Sequence, residues 1–544
     1  MSFKLNPLLN ADSYKFNHIN MYPSGITEVY SNFTPRSVTH LNVPEKYKNN
    51  EIVWFGGQAV VRDMVDVWND NFFEIGRGPI GRISNPAELD SFIADFSRII
   101  APFAGSDYKV DHLYALHKLG YLPLEIKTLP EGSHVPVGVP VVTVRNTMPE
   151  FFWLTNFIES YLSAELWKMS TSATIAKYYR DIGNFWYEKT GASVPFMDFA
   201  FHDFSYRGMS GSMDAIKSGA GHLTSFKGTD CVPTIPYLEY HYSGKDTFIG
   251  ASVPATEHSI QTAFEENDLE YFKSMIRAYP TGIVSIVADG YDYWSVLTNV
   301  LPQLKSDIMN RQPDAMGFAK VVIRPDSGDP IRIIAGYTNN EVVFANGNYW
   351  LKSDIISNDF GDGECIRNGA KSLTEEEVKG SIEVLWDLFG GVNNEKGYRT
   401  LDQHIGLIYG DSITLNRAEE ILSRLEAKGF SADNVVFGIG SYTYQYNTRD
   451  TLGFAMKATN IYRNGIDVPL FKDPKTDNGT KKSAKGLLQV QKVSSTTTEP
   501  GKFVLFNNVN RMAEEAGQLT ILFKDGRFHK HETLDEIRNR VLKG

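Results

Sequence analysis

Cysteine is nearly absent. Cys231 and Cys365 are the two among 544 residues, which leaves no disulfide framework and no zinc-ligand spacing and fits a reducing compartment. Positive charge is in deficit as well. The net charge of −11 argues against nucleic acid or an anionic membrane as the main partner, so any phosphate-binding site has to be a local basic pocket. No apolar run approaches the roughly 18 residues that cross a bilayer, and the opening MSFKLNPLLNADSYKF lacks a signal-peptide core, so a cytoplasmic protein is expected. Internal repeats and low-complexity tracts do not stand out. A hydrophobic content of 42% and a charged content of 22% are ordinary for a globular chain, and the length calls for two or more domains.

What the chain does have is a set of short β-branched, apolar runs that each end in polar, charged or glycine residues. They are Val194–Gly208, His222–Asp230, Ile283–Asp292, Val321–Pro330, Ile405–Ser412 and Val435–Ser441. Such runs suit strands buried on both faces of a parallel sheet, and helical periodicity falls between several of them, most clearly over Glu257–Arg277, Tyr293–Asn310, Glu375–Leu388 and Thr414–Lys428. Repeated βα units make a closed barrel or an open doubly wound sheet, and both collect chemistry at the carboxyl ends of the strands. The loops there supply arginines, aspartates, glycine N–H groups and an aromatic, a composition that suits an anionic, sugar-containing ligand.

Residues 191–460 are therefore expected to form the α/β domain, with 331–373, including the hairpin-like NEVVFANGNYWLKS, as an inserted flap. Residues 1–190 read differently. Leu122–Val144 alternates apolar residues with Pro and Gly turns, as antiparallel strands do, and Glu150–Lys189 has helical spacing, read as two packed helices. The segment 461–544 opens with a basic loop, Lys472–Lys485, and its strand-like runs Gly486–Val493 and Phe503–Asn507 are expected to rejoin the β-rich domain.

Nine short motifs in order, ADSYKFNH, FHDFSYRG, SFKGTD, ASVPATEHS, ADGYD, IRPDSGDP, GDS, NTRD and LFKDP, give the chain a further character. Together they resemble the nicotinamide phosphoribosyltransferases, from Asn6 almost to the C-terminus. The resemblance implies a (β/α) barrel of the type II phosphoribosyltransferases with a second β-rich domain built from both chain ends. It also implies a head-to-tail homodimer with its active sites at the subunit interface. The implied reaction joins nicotinamide to phosphoribosyl pyrophosphate, giving nicotinamide mononucleotide and pyrophosphate, with Mg²⁺, and with ATP as phosphoryl donor. Neither nucleic acid nor a membrane is expected as a partner.

The chemistry agrees with the residue types. A pyridine nitrogen has a free lone pair, so no general base is needed; the demands are to stabilise departing pyrophosphate, hold the ring in line and exclude water. Arginine forks suit pyrophosphate. By the resemblance these are Arg207, Arg324, Arg449 and Arg36, with Lys457, Lys472 and Lys481 as further phosphate contacts and the Gly410–Asp411 and Gly440–Ser441 turns offering backbone N–H groups. The family has consecutive glycines where this chain has Gly440–Ser441. Asp326 and Asp289 are the carboxylates for ribose hydroxyls or for Mg²⁺ and its waters.

The resemblance also assigns the pyridine site. Phe204 matches one face of a nicotinamide sandwich and Tyr14, from the second subunit, the other, with Asp12 and Ser285 as further substrate contacts. His258 matches a histidine that accepts a phosphoryl group from ATP; Glu257 beside it is poorly placed to orient the ring, because neighbours on a helix diverge. Asp230, at the end of SFKGTD, is expected to face the 3-substituent and separate nicotinamide from nicotinate, the substrate of the nearest rival reading. Read without the family, a Phe after a strand is more often a core residue and such a basic loop more often a solvated surface run. A barrel glycosidase would need two opposed carboxylates, which this wealth of strand-end arginines argues against. A non-enzymatic binding protein would have no reason to keep the whole polar set.

Overall fold

The computed structural model describes residues 5–78, 81, 83–243, 247–345, 347–356, 365–410, 412–472, 483–493 and 501–543. Five of its strands, β1 (Phe201–Asp203), β2 (Val284–Val287), β3 (Val321–Arg324), β4 (Ile405–Tyr409) and β5 (Val435–Ile439), form a parallel sheet in the order β1-β5-β4-β3-β2. The two edges of this sheet are joined. Parallel bridges run from Asp203 to Thr229, from Gly228 to Ala251 and from Ala255 to Ser285, so the ring of hydrogen bonds closes into a barrel. The closing segments pair through a few bonds only, such as Thr229 N–Ala251 O at 3.1 Å and Ser285 N–Pro254 O at 2.9 Å. The run expected as a strand at His222–Asp230 therefore contributes bridges at 228 and 229, after a helix Ser212–His222. Val284, Ile286, Val321, Ile323, Ile405, Leu407, Val435, Phe437 and Ile439 are all buried, which is why these strands read as continuous apolar runs.

The other large sheet is antiparallel and draws on both ends of the chain, in the order Ile466–Pro469, Ala455–Arg463, Ile26–Thr34, Val142–Asn146, Leu124–Thr128, Thr520–Lys524, Arg527–Phe528. The strand Ala455–Arg463 straddles the boundary expected at 460 and pairs along its length with Ile26–Thr34. The hairpin Leu487–Lys492 with Phe503–Val509 packs as a separate ribbon. Between the two domains runs one helix of 32 residues, Glu159–Thr190, in place of the two expected; Leu154–Phe157 is a single turn before it. Two other expected helices are interrupted. Glu265 has φ 56° between His258–Thr262 and Asp268–Ala278, and Gly380, at φ 78°, separates Glu375–Lys379 from Ser381–Phe389. The flap carries the expected hairpin, Val342–Ala345 with Asn348–Leu351. No helix among the described residues is long and apolar enough to cross a membrane.

A buried carboxylate ties the chain ends to the barrel side. The helix Gly57–Trp68 starts without a capping side chain of its own, and Glu131 accepts from Gly56 N at 2.9 Å, Gln58 N at 2.5 Å and the Tyr242 hydroxyl at 2.9 Å. Glu131 N in turn donates to Glu532 Oε2 at 3.1 Å, and Gln58 Nε2 donates to the backbone oxygens of His241 and Glu532. Burial, and then Glu532, push the Glu131 carboxyl up to about 7. Replacing Glu131 with Ala leaves a buried helix N-terminus without an acceptor, at a cost of about 2–4 kcal/mol. Glu131→Ala is therefore expected to lower the melting temperature and to speed amide exchange at the start of Gly57–Trp68, while Glu131→Gln, which keeps one acceptor, loses less. Unchanged exchange in the alanine variant would show that the helix start does not rest on this group.

Candidate active site

The carboxyl ends of the barrel strands bring together most of the expected rim residues. Asp289 follows β2 and spends both oxygens inside the protein. Its Oδ1 lies 3.0 Å from His258 Nε2, and its Oδ2 accepts from Asp326 N at 2.9 Å, Ser327 N at 2.7 Å and the Ser327 hydroxyl at 2.5 Å. Burial would raise this carboxyl, but the bonds from Ser327, Asp326 and His258 bring it below the usual aspartate range. Expected on ribose hydroxyls or Mg²⁺, Asp289 is thus placed between His258 and the turn that carries Asp326. It also fills the orienting position that Glu257 leaves open; the Glu257 side chain takes the Ser259 hydroxyl instead. His258 starts a helix at the rim, and its side chain is 48% exposed.

Arg324 ends β3. Its Nη2 donates to Thr256 O at 2.7 Å and its Nε lies 3.4 Å from Asp326 Oδ1. The Thr256 hydroxyl accepts from Val287 N, so the stretch leading to His258 is clamped to β2 and to Arg324 together. Gly410 is required after β4: a Cβ there would fall 1.8 Å from Asp326 Oδ1. The next residue, Asp411, lies outside the described residues, while Ser412 adopts φ 56° and is held by Arg417 Nη1, 2.7 Å from its carbonyl. After β5, Gly440 precedes the short helix Ser441–Gln445, and Gly208 meets Ser441 so closely that its own Cβ would fall 2.1 Å from the hydroxyl. That contact sets the turn carrying Arg207, an exposed arginine with no ion pair among the described residues.

Phe204 follows β1, its N–H bonded to Ile439 O at 3.0 Å. Its ring meets His202 with centroids 4.5 Å apart, and His202 Nε2 lies 2.8 Å from Asp230 Oδ1, which also accepts from the Ser252 hydroxyl at 2.5 Å. Burial would raise Asp230, but His202, Ser252 and the Arg324 charge lower it, so it stays a carboxylate. Ser285, on β2, has a buried hydroxyl without a partner among the described residues. An aromatic platform, an ionised carboxylate and an arginine therefore share one mouth of the barrel.

A second constellation forms on the β-rich domain. Arg36, Arg449, Lys457 and Lys472 line a cavity of about 190 Å³ together with Glu159. Glu159 is engaged by Lys15 at 2.7 Å. Burial, and then Arg36, Lys472 and Arg449, lower the Lys457 ammonium below its usual range although Glu159 opposes them. Tyr14 belongs here, 57% exposed, its hydroxyl raised by burial, Asp12 and Glu159 and lowered by Arg449. Asp12 itself accepts from the Ser160 hydroxyl at 2.5 Å. Lys481 lies outside the described residues. Among the described residues, no hydrogen bond, ion pair or ring contact links this group to Phe204, Asp230, His258 or Arg324. Sequence reasoning did not single out His202, Ser252, Thr256 or Ser327. The available signal was alternation, since His202 and Phe204 stand two residues apart at the end of one strand.

Comparison with known proteins agrees with this geometry. The model of the Nicotinate phosphoribosyltransferase (NAPRTase) family matches residues 199–504, and that of the Nicotinamide phosphoribosyltransferase N-terminal domain matches residues 6–71. The chain is 46% identical to a nicotinamide phosphoribosyltransferase of Acinetobacter baylyi over 99% of this chain and 98% of that one. It is 30% identical to one of Mycoplasma pneumoniae, over 89% and 95% of the two chains. The crystal structure of nicotinate-nucleotide pyrophosphorylase from Pyrococcus furiosus superposes with a TM-score of 0.50 at 13% identity, over 100% of this chain and 96% of that one, a likeness of fold. With a closed barrel, a strand-end rim of this composition and relatives that match it from end to end, the chain belongs to the nicotinate phosphoribosyltransferase family, on its nicotinamide phosphoribosyltransferase side.

Proposed function

We propose that this enzyme transfers a phosphoribosyl group from phosphoribosyl pyrophosphate to nicotinamide, in NAD salvage. One observation carries the choice of acceptor: Asp230 is held ionised beside the Phe204 ring, one residue away from it through His202. A carboxylate there accepts from a carboxamide NH₂ and repels the second negative charge that nicotinate would bring. In a partly desolvated pocket the difference amounts to roughly 2–5 kcal/mol. The ring nitrogen attacks the anomeric carbon with its own lone pair, and the C–O bond to pyrophosphate breaks as the C–N bond forms. Arg324 and Arg207 receive the departing charge.

A cation at the pyrophosphate is part of this reading. Among the described residues no group of three metal-ligating side chains exists, and the oxygens of Asp289 are already engaged. That donor set fits Mg²⁺ held mainly by pyrophosphate oxygens and water, with Asp326 as the carboxylate near it. When bound, the ion neutralises charge on the leaving group. The Tyr14, Arg36, Arg449, Lys457 and Lys472 group completes the site from a second subunit, its unbalanced positive charge facing the phosphates of a ligand that rests on its partner's barrel.

His258 supports coupling to ATP. With its Nε2–H directed at Asp289, the lone pair of a neutral ring stands on Nδ1, at an exposed edge. Nδ1 attacks the γ-phosphorus, an N–P bond forms, the bond to ADP breaks, and the added charge tightens the neighbouring Arg324 site.

Two measurements test the reading. The wild-type chain is expected to form mononucleotide from nicotinamide and nearly none from nicotinate, and Asp230→Ser to narrow the kcat/KM ratio by about thirtyfold or more. An unchanged ratio in a folded, active variant would remove Asp230 from the account. His258→Ala is expected to lose both ATP hydrolysis and the stimulation of synthesis by ATP, while keeping synthesis without ATP; stimulation that survives the substitution excludes the phosphohistidine.

A further inference from the structure

We propose that His202 is the positioning residue for pyridine recognition, fixing Phe204 and Asp230 relative to each other, with Ser252 as its second anchor. The inference rests on the reading of nicotinamide as acceptor and adds to it the groups that make Asp230 selective. The His202 side chain is 9% exposed and makes two contacts of different kinds. Its ring lies against Phe204, centroids 4.5 Å apart with 37° between planes, and its Nε2 is 2.8 Å from Asp230 Oδ1. A carboxylate only accepts, so Nε2 carries the proton. Ser252 donates to the same oxygen at 2.5 Å, and its hydroxyl lies 3.5 Å from His202 Nε2, so histidine, serine and aspartate form a closed triangle.

Both anchors converge on Oδ1. Oδ2 of Asp230 has no hydrogen bond to another described residue, and the side chain is 42% exposed. An oxygen held at a fixed angle with its twin saturated is the arrangement that accepts a single N–H from a planar amide. A carboxylate free to rotate would lose that direction. The backbone is built around the ring as well: a Cβ at Gly228 would fall 2.8 Å from His202 Nδ1, so residue 228 has to be glycine for the imidazole to lie where it does. Neither His202 nor Ser252 needs to touch the reacting carbon; both act through Asp230 and Phe204.

A positioning role makes a specific demand on kinetics. His202→Ala should raise KM for nicotinamide about tenfold or more, change kcat less than about threefold, and lower the nicotinamide-to-nicotinate ratio of kcat/KM by about tenfold. His202→Gln, which offers an N–H at similar reach, should recover much of the ratio. Ser252→Ala, which removes an exposed hydroxyl and leaves the backbone bridges at Ala251 and Ala255 in place, should lower the ratio about threefold or more. If His202→Ala does not fold, the serine variant decides. A wild-type chain that prefers nicotinamide while these variants keep its ratio unchanged overturns the positioning role and leaves the function standing. A wild-type chain that forms no nicotinamide mononucleotide overturns the function and this inference with it.

Discussion

The pairing of Ile26–Thr34 with Ala455–Arg463 is the constraint on which the site depends. The two strands come from opposite ends of the chain, and their antiparallel register delivers Arg36, just past the first, to Lys457, within the second, and to Arg449, just before it. Like charges brought this close repel one another, and at Lys457 burial first, then Arg36, Lys472 and Arg449, hold the ammonium below its usual range against the opposing pull of Glu159. The buried strand pair supplies what holds them there, through Val29, Tyr30, Phe33, Ala455, Met456 and Ile461. A bound polyanion relieves the repulsion. The sheet therefore gathers a local patch of positive charge that the overall negative charge of the chain conceals.

The barrel rim has the opposite character. Asp230, Asp289 and Asp326 stand there, and each carboxylate has its own neighbours, in His202 with Ser252, His258 with Ser327, and Arg324. On the proposed reading the aspartates serve the sugar and the amide and the cations the phosphates, and one ligand needs both. Among the described residues no hydrogen bond, ion pair or ring contact joins the two surfaces within one chain, which is why the proposed site draws them from two copies. Asp289 adds a link within the rim: one oxygen rests on His258 and the other on the turn bearing Asp326.

Much of the architecture was legible where burial is two-sided. The runs ending at Arg324, Tyr409 and Ile439 are strands because both faces are covered, and this leaves an unbroken apolar signature. The segments that close the barrel were not legible as they stand, because Gly228–Thr229 and 251–255 pair through isolated bridges and carry glycine, serine and proline. Glu150–Lys189 reads as two helices, whereas one helix runs from Glu159 to Thr190, with Gly183 in its interior close against Met197 and Phe201. Conversely, Glu257–Arg277 looked continuous although Asn267 caps a new start, its side chain accepting from Glu270 N. The motifs name Phe204, Asp230, His258, Asp289, Arg324 and Asp326, which the fold gathers at the carboxyl ends of the barrel strands. His202 and Ser252 escape them: alternation sets His202 on the same side as Phe204, but both residues meet Asp230 across 28 and 22 residues of sequence, and a single chain does not show contacts of that range.

The central claim is that a working site takes its barrel rim from one chain and its cationic wall from another. Mixing separately purified Tyr14→Ala and Arg324→Ala, each inactive, and allowing subunits to exchange tests it most directly. Random exchange makes half of the dimers hybrids with one intact site in two, so the account predicts recovery of about a quarter of wild-type activity. A mixture no more active than its separate components, under conditions where exchange is demonstrated, would contradict the shared site.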